Sequence, residues 1–308
     1  MLLIVLLYAL LAGTFSLGKM ILAYSQPIFV VGMRMSISGA ILLLYHSIVN
    51  HTQLRIKNEH IGSFVQATLF TIYIPYLLRY WGLVHLSSSK ACLLYNFGPF
   101  LTYFFSYLLS REKVTLKKMS GLCIGFIGLM PLIITSSFHL PTNHGLYILP
   151  ELALLTAVTS MSYGWLIIHK LINKENYAPS MTNGIIMFAG GILALVTSLL
   201  LEDPSTYITD FMPFITILSI IIVVSNLICH NLYGALLKIY SPTMLSFTSF
   251  LSPLFAALYG WLFMNEIIPL HFYGSAFIIF IGLALFYSDE LSGQKISKAP
   301  ELPLEQTA

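Results

Sequence analysis

The sequence has 308 residues, of which 57% are hydrophobic and only 9% are charged, and its mean hydropathy is +0.84. Soluble domains usually carry about 25% charged residues, so this composition excludes a fold surrounded by water and indicates a protein of the lipid bilayer. The net charge of +3 is too small and too dispersed to favour nucleic-acid binding, and we expect no nucleic-acid partner.

Apolar runs of about 18 residues or more divide the chain into predicted transmembrane helices joined by short connections. In chain order, the ten predicted spans cover residues 2–23, 27–49, 61–84, 87–109, 119–138, 146–168, 179–201, 213–237, 241–264 and 270–288. The polar residues 289–308 are expected to form a disordered tail. The predicted fold is therefore an all-α membrane protein with ten transmembrane helices.

Lysine and arginine are concentrated in the loops that follow even-numbered spans and in the tail. Eleven of the fifteen cations lie there, namely Arg55, Lys57, Arg111, Lys113, Lys117, Lys118, Lys170, Lys174, Lys238, Lys295 and Lys298. The loop between the seventh and eighth spans instead carries Glu202, Asp203 and Asp210. Because basic loops stay in the cytoplasm, both termini are predicted to be cytoplasmic in a multi-pass protein of the cell inner (plasma) membrane.

An internal repeat divides the chain into residues 1–138 and 146–288. An offset of 154 aligns Ser87, Pro99, Glu112 and Gly128 with Ser241, Pro253, Glu266 and Gly282. Earlier in each half the offset is smaller, and Gly13, Lys19, Pro27 and Gly32 align with Gly164, Lys170, Pro179 and Gly184. Each repeat holds five spans, and because five is odd the two repeats are predicted to cross the membrane in opposite senses. Inverted repeats are typical of secondary transporters, whose binding site lies between the halves near the bilayer midplane.

These features together resemble the EamA family of the drug/metabolite transporter superfamily. The shared features are Gly13 to Lys19, Pro27 to Arg34, the mid-span Pro99 and Pro253, the following Glu112 and Glu266, and the glycine-rich Gly121 to Gly128. One departure is Ile186, which stands where the second repeat would match Arg34. The resemblance implies a metabolite carrier whose cavity is lined by the first, third, fourth, sixth, eighth and ninth spans.

Several charged residues lie within predicted spans, where charge is costly. A charge at the bilayer centre costs roughly 2.5–3.5 kcal/mol on insertion scales. Lys19, Arg34, Arg79 and Lys90 fall toward the outer end of the first half, where they would reach the headgroups, pair with local carbonyls or attract an anionic substrate group. Arg34 is the best candidate for a buried charge. Glu151 would pair with one of these cations, bind a cationic substrate group or carry a proton.

Polar and aromatic residues supply the other candidates for substrate binding. Asn226 and His230 are four residues apart, which predicts one shared helix face that contacts either the substrate or another helix. Tyr76 and Arg79 share a face of the third span, and Tyr95 and Asn96 precede the proline of the fourth. Tyrosines at that depth suit a planar or cationic ligand, whereas aromatic residues at span ends usually form interfacial belts.

The predicted function is secondary transport of a small organic metabolite by alternating access. No nucleotide-binding motif is present, and Cys92, Cys123 and Cys229 form no metal-ligand pattern, so no cofactor is expected. Aromatic residues with a mixed Arg, Glu, Asn and His set fit a zwitterion, such as an amino acid or an amino-acid-derived cofactor. The family resemblance adds S-adenosylmethionine carriers as one match. An intramembrane enzyme, a membrane scaffold and association into a homodimer stay open.

Overall fold

The computed structural model describes residues 2–49, 56–86, 88–110, 115–137, 148–264 and 270–297. Within these ranges the secondary structure is helical, apart from an isolated β-bridge between Ser25 and Ile208. The helices are α1 (Leu2–Ile21), α2 (Pro27–Val49), α3 (Asn58–His85), α4 (Ser88–Tyr95), α5 (Gly98–Ser110), α6 (Leu116–Ser137), α7 (Ile148–Asn173), α8 (Pro179–Leu201), α9 (Phe211–Leu236), α10 (Pro242–Thr248), α11 (Ser252–Met264) and α12 (Leu270–Ser297).

Six of the described helices, α1, α2, α3, α7, α8 and α9, are long and apolar enough to cross a membrane. The chain is therefore a multi-pass, all-helical membrane protein. The fourth predicted span is broken between α4 and α5, and the ninth is broken between α10 and α11 by a 3₁₀ turn at Ser249–Leu251. Pro99 and Pro253 each occupy the second position of the helix after the break, where the missing N–H leaves no hydrogen bond unmade.

The last helix extends beyond the predicted end of the tenth span. Hydropathy placed the start of a disordered tail at residue 289, but α12 continues to Ser297. Apolar composition marks where a helix leaves the bilayer, and it does not mark where helical hydrogen bonding ends. Residues 298–308, and the aligned Glu112 and Glu266, lie outside the described residues.

The contact between α2 and α8 is a close antiparallel approach of two helix backbones. A Cβ atom added to Gly39 would lie 2.3 Å from the backbone nitrogen of Phe188, and one added to Gly191 would lie 2.3 Å from that of Ser36. The offset of 152 that aligns Pro27 with Pro179 also aligns Gly39 with Gly191 and Ser36 with Phe188. Each helix therefore contacts the other through the same positions, as in an isologous interface.

The contact between α6 and α12 repeats this arrangement at the other end of each half. A Cβ atom on Gly121 would lie 2.9 Å from the carbonyl oxygen of Gly282, and one on Gly282 would lie 2.8 Å from that of Gly121. Helices in lipid associate largely through packing, and small residues allow the backbones to approach. These two glycine-rich contacts join the N-terminal half to the C-terminal half.

A carboxylate ties the loop after α8 to the start of α2. The Glu202 carboxylate accepts hydrogen bonds from the backbone N–H groups of Ile28 and Phe29 at 2.7 and 2.8 Å. These two N–H groups belong to the first turn of α2, which has no helical partner for them, and a negative charge there also suits the helix dipole. Phe29 in addition stacks on Tyr207 with ring centroids 4.3 Å apart.

Substitution of Gly39 tests the closest backbone contact. We expect Gly39→Ala to destabilise the protein by roughly 1–3 kcal/mol, because the added methyl group overpacks the α2–α8 contact. Thermal unfolding in detergent measures the change. Gly274→Ala is the matched control, since no atom lies within 4 Å of a Cβ at that helical position. Equal unfolding midpoints for the two variants would contradict the close packing.

Candidate substrate cavity

A cavity lies between helices of the two halves. The volume of this cavity is about 140 Å³. Its walls come from α1, α3, α4 and α5 of the N-terminal half, and from α7, α9, α10 and α11 with their connection in the C-terminal half. These helices correspond to the six predicted spans that the family resemblance implies for the cavity wall.

The helices that enclose this cavity contain irregular segments. Asn96 lies at the break between α4 and α5, and Ser249 lies at the break between α10 and α11, and both residues line the cavity. The segments Thr68–Tyr73 of α3 and Ile221–His230 of α9 are π-helical. Breaks and π-turns re-aim side chains, and they occur often at functional sites in membrane transporters and other proteins.

Arg79 brings a buried positive charge to one end of the cavity. Its guanidinium carbon lies 3.9 Å from the ring centroid of Phe15 and 5.4 Å from that of Tyr95. The only hydrogen bond that Arg79 makes among the described residues is a long one of 3.4 Å from Nη2 to the Thr14 hydroxyl, and its Nε has no acceptor. No carboxylate of the described residues forms an ion pair with it. The aromatic faces offset part of the charge, and an anionic ligand group would complete the site.

Aromatic residues form a row from the middle of the cavity to its other end. The Tyr76 hydroxyl and His230 Nε2 share a hydrogen bond of 2.7 Å that links α3 to α9. The His230 ring lies 5.6 Å from Trp165, which packs on Tyr233 with ring centroids 4.1 Å apart. This row offers planar surface together with a few polar atoms, as small-molecule sites commonly do.

Arg34 and Asn226, two of the predicted substrate ligands, lie behind the cavity wall and contact each other. Arg34 is 1% exposed, and it donates hydrogen bonds to the Tyr80 hydroxyl at 2.6 Å, to the Ser225 hydroxyl at 2.9 Å and to the Asn226 side-chain oxygen. Asn226 donates in turn to the Arg34 carbonyl at 3.1 Å and to the Ser38 hydroxyl at 2.9 Å. All of these bonds are buried and those from the guanidinium are charge-assisted, so the pair stabilises the contact between α2 and α9.

Two further charged candidates also lie away from the cavity lining. Lys19 donates to the backbone carbonyls of Leu83, Val84 and Leu86 at the end of α3, which is the local carbonyl pairing considered from the sequence. Glu151 lies in the first turn of α7 and is partly exposed. The side chain of Lys90 lies outside the described residues.

The structure thus brings together Tyr76, Arg79, Tyr95, Asn96 and His230 as cavity residues. Sequence reasoning missed the aromatic residues that complete the lining, which are Tyr8, Phe15, Trp165 and Tyr233. Tyr233 could have been found, since it lies three residues after His230. Within uniformly apolar spans, the other three carry no signal that separates a cavity residue from a lipid-facing one.

The sequence also matches known membrane transporters along most of its length. The EamA-like transporter family matches residues 1–134 and 148–288. A protein of Chlamydia trachomatis serovar L2, named S-adenosylmethionine/S-adenosylhomocysteine transporter, is 33% identical over 285 residues, covering 91% of this chain and 86% of that protein. A protein of the same name from Chlamydia muridarum is 32% identical over 283 residues, covering 91% and 88%.

A solved structure shares the fold. It superposes with a TM-score of 0.76 at 16% sequence identity, covering 96% of this chain and 98% of that one. The chain belongs to the EamA-like transporter family, so the resemblance drawn from its motifs is confirmed. It is a transporter and not an enzyme.

A double-mutant cycle tests the pairing of Arg34 with Asn226. We expect Asn226→Leu to destabilise the protein by about 1–3 kcal/mol, because the buried guanidinium loses an acceptor. Arg34→Met should cost less in the Asn226→Leu background than in the wild type, with a coupling energy of roughly 0.5–3 kcal/mol from thermal unfolding of all four proteins. Additive effects, as expected for the lipid-exposed control Thr216→Leu, would show that the two residues are energetically independent.

Proposed function

We propose that this transporter carries S-adenosylmethionine and S-adenosylhomocysteine across the inner membrane by alternating access, through the cavity described above. The observation that carries the proposal is the buried guanidinium of Arg79, which has no carboxylate partner among the described residues and lies among aromatic rings. The names and coverage of the chlamydial relatives support the same substrate class.

The chemistry of these substrates suits the residues of the cavity. Both contain an α-carboxylate, an α-ammonium group and an adenine ring, and S-adenosylmethionine adds a sulfonium cation. Arg79 is a partner for the carboxylate, and the rings of Tyr76, Tyr95 and Trp165 offer faces for stacking and for cation–π contact. Serine and threonine hydroxyls from both halves supply the remaining polar contacts, at Thr14, Thr102, Ser162, Ser246 and Ser249.

We infer that residues 1–138 and 146–288 are two inverted repeats of five transmembrane helices each. The reciprocal contacts support this arrangement. Gly32 approaches Leu195, and its counterpart Gly184 approaches Leu43. The residue numbers of the contacting positions therefore increase along α2 as they decrease along α8, which makes the two helices antiparallel. Equivalent helices that pack antiparallel through equivalent residues are related by a two-fold axis perpendicular to them, which for membrane-spanning helices lies in the membrane plane. Rocking of such halves about a central site gives alternating access.

The orientation of the chain is the next part of the proposal, with both termini in the cytoplasm and the 202–210 loop outside. The distribution of lysine and arginine carries it. We expect a fluorescent reporter fused after Ala308 to be active and protected from an external protease. In a variant without the three native cysteines, Ser205→Cys should react with a membrane-impermeant thiol reagent added to intact cells. Labelling only after the membrane is opened would reverse the orientation.

Uptake by purified protein in liposomes tests the transport function. We expect time-dependent accumulation of radiolabelled S-adenosylmethionine above empty liposomes, and inhibition by unlabelled S-adenosylhomocysteine but not by adenosine triphosphate. His230→Ala should lower the initial rate by about tenfold, which corresponds to about 1.4 kcal/mol of lost interaction. His85→Ala, at the exposed end of α3, is the matched control. Wild-type liposomes that accumulate no label would refute the substrate assignment.

A further inference from the structure

We propose that the cavity binds its substrate in one fixed direction, with the amino-acid carboxylate at Arg79, Tyr95 and Asn96 and the purine ring at Trp165 and Tyr233. The inference rests on the proposed function and adds which residues distinguish the two ends of the substrate. Three observations carry it: unpartnered donors at one end of the cavity, an aromatic pair at the other, and their equivalence in the internal repeat.

The first end lacks acceptors for its donors. Arg79 Nε, Tyr95 Oη and Asn96 Nδ2 are buried and have no hydrogen-bond partner in the described part of the chain. Buried donors are nearly always paired in native proteins, since leaving one unpaired forfeits its hydration without replacement. The donors of Tyr95 and Asn96 need acceptor oxygens, and the guanidinium of Arg79 favours an acceptor with negative charge. The α-carboxylate is the only group of the proposed substrates that supplies both.

The second end is planar and carries no formal charge. Trp165 and Tyr233 lie 4.1 Å apart with their rings inclined by 33°, and His230 flanks Trp165. A purine ring presents two π-faces and neutral polar edges, so it is satisfied by aromatic faces and by hydroxyl groups such as that of Ser162, which lines the same cavity. A carboxylate placed here would lose its water without gaining a cation.

The two ends are joined by residues near the middle of the cavity. The Arg79 guanidinium lies 5.9 Å from the ring centroid of Tyr76, whose ring lies 5.9 Å from His230. These contacts therefore run in the order Arg79, Tyr76, His230, Trp165 and Tyr233. A substrate with a carboxylate at one end and a purine ring at the other matches this order in one direction only.

The internal repeat relates the residues at one end of the cavity to different residue types at the other end. With the offset of 154, Tyr76 corresponds to His230, its own hydrogen-bond partner, and Arg79 corresponds to Tyr233. With the offset of 151 that aligns Gly13 and Gly164, Thr14 corresponds to Trp165. The contact of Thr14 with Arg79 in one half is therefore the counterpart of the contact of Trp165 with Tyr233 in the other. Equivalent positions carry an arginine–threonine pair in one repeat and an aromatic pair in the other, so the side chains of the two repeats differ at these positions.

Competition against labelled S-adenosylmethionine uptake by two partial substrates tests the direction of binding. Decarboxylated S-adenosylmethionine lacks the carboxylate, and S-methylmethionine lacks the adenosine. In the wild type we expect each competitor to bind at least tenfold more weakly than S-adenosylmethionine. Arg79→Gln should bring decarboxylated S-adenosylmethionine to within about twofold of the full substrate and leave the penalty for S-methylmethionine in place. Trp165→Leu should do the reverse, and Arg79→Lys should recover part of the preference for the carboxylate.

Each ratio is measured within one variant, so protein yield and overall rate cancel. For a variant that transports too slowly, the same ratio comes from displacement of labelled substrate from detergent-purified protein. If both variants weaken all three compounds by the same factor, the inference is wrong while the transport function stands. Absence of S-adenosylmethionine uptake by the wild type overturns the proposed function and the inference with it.

Discussion

A polar side chain on a transmembrane helix must find its partners inside the protein, because lipid offers none and an unsatisfied group costs several kcal/mol. Arg34 shows how strongly this constraint acts on the fold. Its guanidinium is bonded to Tyr80, Ser225 and Asn226, which lie on α3 and α9. The hydrogen bonds of this one buried cation therefore hold α2, α3 and α9 together. Since α9 belongs to the C-terminal half, the same bonds also join the two halves.

Close packing of glycines supplies the second link between the halves. Burial from water does not drive helix association within lipid, so backbone approach and side-chain fit carry much of the stability there. Gly39 and Gly191 allow this approach on α2 and α8, and Gly121 and Gly282 allow it on α6 and α12. None of these four glycines lines the cavity. The four helices of these contacts, α2, α8, α6 and α12, contribute no residue to the cavity lining among those that the structure describes.

Internal pairing is incomplete in the cavity lining, where Arg79, Tyr95 and Asn96 each keep a buried polar atom without a partner among the described residues. Nε of each arginine has no partner among the described residues, but the terminal nitrogens of Arg34 make several buried hydrogen bonds, whereas those of Arg79, one helix away, make a single long one. Sequences tend to break local rules of satisfaction at functional sites, where a ligand completes the set. The contrast between two arginines in one bilayer-spanning half separates a structural cation from a candidate ligand-binding one.

The sequence by itself determined that the chain is helical and spans the membrane several times, because a bilayer demands apolar runs of a set length, and it predicted the internal repeat. It also pointed to Tyr76, Arg79 and His230, since polar groups in such runs face inward. Only the tertiary structure separated Asn226 from His230. Their spacing of four predicts one shared face, yet Asn226 bonds to Arg34 of α2 while His230 bonds to Tyr76 of α3 and lines the cavity, because different helices pack against successive turns of α9. Likewise, whether an aromatic residue such as Trp165 faces lipid or the cavity depends on which helices pack beside it, and the hydropathy of the sequence does not specify that packing.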